Sequence, residues 1–226
     1  MQLSFVDISE KGKIHTFLNP YSYLLLRNNT ELLRAFDNVL VDGQLMVRFL
    51  SIFGIANVQR KSFDMTSLAP IVFGNAELTR EKVFLVGTTP DAIEVAVVKL
   101  KHEYPKLNIV GYHHGYLDKE EDAKDVINSI NSLAANTVIV GMGAPRQERF
   151  LLKLKKTGWQ GTGFTCGGFF HQTSTKINYY PKWIDKFNLR WAYRIYDEPK
   201  LFTRYFILYP WAICLMILDF KIKKNK

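Results

Sequence analysis

Three short apolar runs recur along the chain at residues 83–87 (VFLVG), 107–111 (LNIVG) and 137–141 (TVIVG), each closed by glycine. Apolar runs of this length without alternation suit strands buried on both faces. The segments between them are long enough for helices, which implies parallel pairing through right-handed crossovers. The spacing predicts a helix over 92–104. A second follows the capping-box signature of Asp118 and Glu121 and ends near Ala134, and a third opens at GAPRQE and runs to about Thr157. Residues 160–166 read as a fourth strand. The less regular N-terminal third offers a strand near 13–18, a helix after Pro20, a strand at 39–41, and helices around 44–53 and 64–73. The expected fold class is α/β: a layered, mostly parallel, Rossmann-like sheet flanked by helices over residues 1–175. A basic, aromatic, helical appendage over 176–226 follows it, past the polar stretch that ends at Pro181.

Charge sets the appendage apart. The chain carries a net +9, and from Lys182 onward ten lysines or arginines stand against four acids, which places +6 of that total in the last fifth. Such an excess asks for an anionic partner. Residues 205–220 (YFILYPWAICLMILDF) are apolar but interrupted by Pro210, and shorter than the roughly 20 residues of a spanning helix. With Arg204 before it and KIKKNK after it, this segment reads as lying on an anionic bilayer surface. A buried C-terminal helix is the plainer alternative. The two cysteines suggest no disulfide framework, and the N-terminus lacks the apolar run of a signal peptide. The expectation is a cytoplasmic protein, peripheral on the inner face of the cell membrane.

Ligands of parallel α/β sheets bind beyond the carboxyl ends of the strands. Three such ends are marked by 41–43 (VDG), 87–90 (GTTP) and 141–148 (GMGAPRQE). Gly87, Thr88, Gly141, Gly143, Pro145, Arg146, Gln147 and Glu148 are therefore candidates to hold a phosphate-bearing ligand, with Gln147 able to read a base or sugar. Asp42 could act as a general base there, although an Asp-Gly pair is also an ordinary turn. GMGAPRQE is not the GxGxxG of dinucleotide folds, Walker A is missing, and neither an Asp-x-Asp pair nor zinc-type histidine spacing occurs. No cofactor and no metal are expected. In residues 186–206 basic and aromatic residues alternate, and Arg190 and Arg194 share a helix face, as do Lys200 and Arg204. Such a face suits phosphates. The apolar segment that follows points to lipid, not nucleic acid.

Taken in order, FLNPYSY, VLVDGQ, RKSFDMTSL, VFLVG, VIVGMGAPRQE, FTCGGFFH and WAYRIYDEPKLFTRYF resemble the motif series of the WecG/TagA/CpsF glycosyltransferases, over roughly residues 19–204. The resemblance implies an inverting, metal-independent transferase that takes N-acetylmannosamine, its uronic acid or another hexose from a UDP-sugar. The implied acceptor is linked to undecaprenyl diphosphate, and the product feeds capsule, exopolysaccharide, teichoic acid or common antigen. By position it implies Asp42 as base, with Asn19, Arg60 and Gln147 as further catalytic-site residues, and Arg194 and Arg204 on the lipid diphosphate. Three positions depart from the family pattern: Phe17 stands where threonine is frequent, the glycine before the DL-type motif is replaced in RKSFDM, and Arg190 stands where glutamate is common. Nothing in the sequence opposes a homo-oligomer. Two rival readings are a nucleotide-dependent oxidoreductase and a non-catalytic basic module binding membrane or nucleic acid. The first lacks its fingerprint, and the second leaves Asp42, Asn19 and Gln147 unexplained.

Overall fold

The computed structural model describes residues 10–55, 58–187 and 189–224. Six strands, β1 (Ile14–Leu18), β2 (Asn38–Val41), β3 (Lys82–Gly87), β4 (Asn108–His113), β5 (Thr137–Gly141) and β6 (Thr162–Thr165), form one sheet in the order β2-β1-β6-β5-β3-β4. Every pairing is parallel, as the apolar runs require. Between them lie α1 (Pro20–Leu26), α2 (Thr30–Arg34), α3 (Gln44–Ile52), α4 (Leu68–Leu78), α5 (Pro90–Glu103), α6 (Glu120–Ser132) and α7 (Arg146–Lys156). After the sheet come α8 (Phe169–Thr175), α9 (Lys182–Lys186), α10 (Arg190–Asp197), α11 (Leu201–Thr203), a π-helical turn (Arg204–Leu208) and α12 (Tyr209–Lys224).

Strands β1, β3, β5 and β6 are buried on both faces, while the edge strand β4 is partly exposed, and the side chains divide with the period of two. Leu85, Ile139 and Phe164 enter one core cluster with residues of α4, α5 and α8. Phe84, Val86, Val138 and Val140 enter the opposite one with residues of α6 and α7. The first cluster centres on Phe63, whose ring meets Phe17, Phe73 and Phe169 edge-on. That anchor fixes a loop with no regular secondary structure of its own.

Three local expectations change. The helix expected over 64–73 begins only at Leu68, because Asp64 turns its carboxylate back to accept from the Thr66 backbone N–H at 2.9 Å. An Asx turn of this kind competes with helix. The N-cap of α6 is Lys119, whose backbone N–H donates to Asp122 Oδ2 at 3.1 Å, while Asp118 faces Arg146 at 3.4 Å. Strand β4 runs on to His113, two residues past the glycine that closes its apolar run.

The C-terminal helix is longer than its apolar run. Leu201–Phe220 has a mean hydropathy of 1.7 and is long and apolar enough to cross a membrane, with 17% of that window buried. The π-turn just before Pro210 widens the helix where the proline ring would meet a preceding carbonyl, so the helix continues. One face packs on the α/β body. Ala212 and Met216 are fully buried, and the Phe220 ring lies 5.8 Å from Phe49 and 5.4 Å from Phe53. Arg27 grips Asp219 with both Nη2 (2.7 Å) and Nε (3.1 Å), and the Tyr23 hydroxyl donates to the same carboxylate. Ile207, Trp211 and Leu218 on the other face are exposed.

This pin is partly buried and two-pronged, which puts its contribution at about 1 kcal/mol. Asp219→Ala is expected to lower the melting temperature by about 2–4 °C. An unchanged melting curve would mean that apolar packing alone docks α12.

Candidate active site

At the carboxyl ends of β1, β2 and β6 and the turn after β5 lies a cleft of about 950 Å³, closed on its far side by α10, the π-turn and the start of α12. The switch in strand order places it there, since β1 and β2 were laid on one side of the sheet and β3 and β4 on the other. Its lining includes five arginines (Arg48, Arg60, Arg190, Arg194 and Arg204), and its carboxylates are Asp42 and Asp64.

Asp42 follows the last residue of β2, and its backbone N–H still pairs with Leu18 O at 2.9 Å. Gly43, at φ 89°, turns the chain from strand into α3. Beside it, Asn19 caps α1. Its Oδ1 accepts from the Ser22 backbone N–H at 3.0 Å, and this leaves Nδ2 to make a long 3.5 Å hydrogen bond to Asp42 Oδ2. Lys61 N donates to Val41 O at 2.8 Å, and this strand-like contact brings Arg60 alongside Asp42. Burial pushes the Asp42 pKa up. The Arg60 charge opposes that shift, Asp64 adds to it, and Asn19 and Arg204 oppose it further.

Asp64 has a different role from Asp42. Its Oδ2 accepts from Arg60 (2.6 Å), Ser62 Oγ (2.6 Å) and Arg190 (3.2 Å), and its Oδ1 holds Thr66. Burial raises its pKa, but Arg60, the two hydroxyls and Arg190 outweigh that and hold it below the usual range. Asp64 is thus a saturated anion that ties the appendage to the body. Arg190 also lies 5.1 Å over the Tyr180 ring, and Arg204 lies 4.0 Å over Tyr21. Arg194 pairs with Glu198 at 2.9 Å, its Nε buried without a partner, as is that of Arg204.

Of the residues singled out in the sequence, the cleft brings together Asn19, Asp42, Arg60, Gly143, Gln147, Arg194 and Arg204. Gly87, Thr88, Gly141, Pro145, Arg146 and Glu148 do not line it. A side chain at Gly87 would meet the Gly141 backbone at 2.5 Å, and one at Gly141 would meet Cys166 Sγ at 2.8 Å, so both glycines serve close strand-end packing. Arg146 reaches the Gly115 carbonyl and Asp118. Glu148 is wholly buried behind Gln147. Sequence reasoning missed Asp64, Tyr180, Gln172, Tyr205 and Tyr209, all on the cleft wall. The alternation of aromatic and basic residues after 186 was the signal for Tyr205. Asp64 carried none beyond its place in RKSFDM. No group of three or more metal-ligating side chains occurs among the described residues.

An α/β body whose strand ends open into an arginine-rich cleft beside a carboxylate has the chemistry to bind an anionic ligand. The chain belongs to the glycosyl transferase WecG/TagA/CpsF family, whose model matches residues 3–226. It is 33% identical over 204 residues, 90% of this chain and 85% of the relative, to UDP-Gal:alpha-D-GlcNAc-diphosphoundecaprenol beta-1,4-galactosyltransferase of Shigella boydii. It is 26% identical over 233 residues, 99% of this chain and 88% of the relative, to N-acetylglucosaminyldiphosphoundecaprenol N-acetyl-beta-D-mannosaminyltransferase of Bacillus subtilis (strain 168). The fold and the recognised family agree, and the protein is a glycosyltransferase.

The raised pKa of Asp42 has a consequence for stability. A carboxyl whose folded pKa exceeds its unfolded value, about 3.9, contributes stability below that value and loses it as pH rises through the folded pKa. At neutral pH the ionised group is therefore a burden. Asp42→Asn is expected to melt at or above the wild-type temperature at pH 7, with the difference shrinking toward about pH 4. A variant that melts lower at pH 7 would show Asp42 to be a structural anchor.

Proposed function

We propose that the protein transfers a hexose or N-acetylhexosamine from a UDP-sugar to a sugar carried on undecaprenyl diphosphate, in one inverting displacement without a metal. The observation that carries this reading is the pairing of one open carboxylate, Asp42, with five arginines in a single cleft. Asp42 takes the proton from the acceptor hydroxyl as that oxygen attacks the anomeric carbon, and the bond to UDP breaks on the opposite face. Asp64, with both oxygens committed to Arg60, Arg190, Ser62 and Thr66, is unsuited to act as a second nucleophile. Fixed guanidinium groups take up the charge of the departing diphosphate, the work a metal would otherwise do. The names of the two relatives support the acceptor, since both carry N-acetylglucosamine on diphosphoundecaprenol.

The same reading places the enzyme on the inner face of the membrane, as a peripheral protein of surface-polysaccharide synthesis. Trp183, Phe187, Phe202, Ile207 and Trp211 are exposed along the appendage, and the sequence ends in a basic run. Trp191 and Phe206 are exposed as well and line the cleft, so the apolar band and the cleft mouth adjoin. The helix that could span by length is pinned along the body by Asp219, and its N-terminal part carries the cleft residues Arg204, Tyr205 and Tyr209. These constraints favour a helix lying against the bilayer.

Two experiments test the proposal. UDP release is measured from UDP-galactose and from UDP-N-acetylmannosamine, with N-acetylglucosaminyl-diphospho-prenol as acceptor and EDTA in excess. Acceptor-dependent release is expected with one of the donors, and Asp42→Asn should lower it by roughly 10²–10⁴-fold. Absence of release with both donors, release that requires added Mg²⁺ or Mn²⁺, or full activity in the Asn variant would each defeat the corresponding claim. For the membrane, the triple variant Phe202→Ser, Ile207→Ser, Trp211→Ser should bind anionic liposomes at least tenfold more weakly, while its turnover of a short-chain acceptor in detergent stays near wild type. Unchanged liposome binding would remove the appendage from the membrane contact.

A further inference from the structure

Glu148 stands in the GMGAPRQE motif next to a cleft residue, yet it is wholly buried and faces away from the cleft. Its Oε1 accepts two hydrogen bonds, from Gln147 Nε2 at 2.9 Å and from Thr16 Oγ1 at 2.9 Å. Thr16 Oγ1 in turn accepts from Thr165 Oγ1 at 3.0 Å. On its other side, the Gln147 amide oxygen accepts from the Gly167 backbone N–H at 3.1 Å. The five groups form one network whose two arms converge on Glu148 of α7, one from Thr165 of β6 through Thr16 of β1 and one from the turn before α8 through Gln147. Its cleft-side members are Gln147, Thr165 and Gly167.

The direction of this network is set at Glu148. A glutamine amide can be turned over at no steric cost, since its oxygen and nitrogen are nearly the same size. Here a turned amide would set its N–H₂ against the Gly167 N–H and its oxygen against Glu148 Oε1, two mismatches, of which the second lies wholly in the interior. The backbone N–H of Gly167 cannot change its role, so only an acceptor at position 148 keeps Gln147 facing the way it does. Gly167 itself sits at φ 55°, a left-handed conformation, and Gly168 beyond it faces the Arg194 guanidinium at 3.7 Å from an added Cβ. The wall that this network holds therefore stands opposite the appendage arginines.

We propose that Glu148 is a positioning residue of the transfer site, fixing the orientation of the Gln147 amide and through it the Gly167–Gly168 turn on the cleft wall. Glu148 Oε2 has no hydrogen-bond partner, so the carboxylate is not held here by an ion pair. What the position supplies is one acceptor oxygen. Burial pushes its pKa up, consistent with a group whose charge is dispensable. The proposal rests on the transferase reading for its activity readout, but its structural half is measured without substrate.

The test uses the full chain, with hydrogen exchange of the Gly167 amide followed by NMR and transfer assayed as UDP release. Glu148→Gln keeps the acceptor oxygen and is expected to stay within about threefold of wild-type kcat/KM, with Gly167 still protected. Glu148→Leu, of similar volume but without an acceptor, should lose roughly 10–100-fold in kcat/KM, with Gly167 exchange accelerated while amides of the core strands, such as Leu85 and Ile139, exchange as before. A reciprocal pair covers the case in which the leucine variant does not fold. Gln147→Glu alone sets two carboxylates against each other and should expose the Gly167 amide. Adding Glu148→Gln restores a donor facing an acceptor, the Thr16 and Thr165 hydroxyls rotate to follow, and Gly167 protection should return. Full activity and protection in Glu148→Leu, or no recovery of Gly167 protection in the double variant, would overturn the proposal. A wild-type enzyme that releases no UDP would instead count against the transferase reading, because the exchange measurements stand without it.

Discussion

Burial of the sheet on both faces is the constraint on which everything else depends. Strands without a wet face must be joined by helices that cover them, and crossovers of one hand deliver every carboxyl end to the same edge. The chain begins with β1 and β2 on one side, steps across to β3 and β4, and then fills the gap with β5 and β6. The ends of β1, β2 and β6 and the turn after β5 thus meet in one cleft, although they come from distant parts of the sequence. Gly87 and Gly141 belong to this packing. Their missing side chains let neighbouring strand ends and the turn before α8 close up.

Within the cleft, positive charge outweighs negative. Asp42 is kept from ionising easily by its burial, and Arg60 nearby counteracts only part of that. A base that is harder to ionise than a surface aspartate is also a stronger proton acceptor once it is ionised. Asp64 offsets part of the arginine excess and takes Arg60 and Arg190 into fixed positions. Without it, guanidinium groups held side by side would repel each other, and the loop bearing Arg60 would be tied down only through Phe63 and its backbone bonds, such as that from Lys61 N to Val41 O.

The sequence revealed these features in proportion to how local they are. Strands β3 and β5 were legible because double-sided burial leaves an uninterrupted apolar run, and Asp42 and Gln147 because they fall just beyond such runs. The loop around Arg60 was opaque, since one phenylalanine in the core positions it and no periodicity announces that. The contact between Asp64 and Arg190 joins residues 126 apart, and each looks like an ordinary surface charge in its own segment. Glu148 shows the limit most clearly. The motif places it beside Gln147 at a helix start, but the direction of its side chain depends on Thr16, 132 residues earlier. The length of the C-terminal helix was misjudged for a related reason, because Pro210 reads as a breaker unless the π-turn before it is known.

The appendage resolves a difficulty that the α/β body alone cannot. Of the five arginines lining the cleft, the body supplies Arg48 and Arg60, and Arg60 is already engaged by Asp64. For the diphosphate leaving group of the proposed transfer, a partly dry cleft calls for more fixed positive charge than that. Arg190, Arg194 and Arg204 line the same cleft from α10 and the π-turn, segments whose outer faces expose Tyr196 and Ile207. One run of residues therefore completes the electrostatics of the cleft with one face and presents apolar surface with the other. If the appendage settles on a bilayer, the contact that brings the enzyme to its acceptor also steadies the arginines that the reaction needs. In that arrangement, activity toward a lipid-borne acceptor and attachment to the membrane are properties of a single structural element.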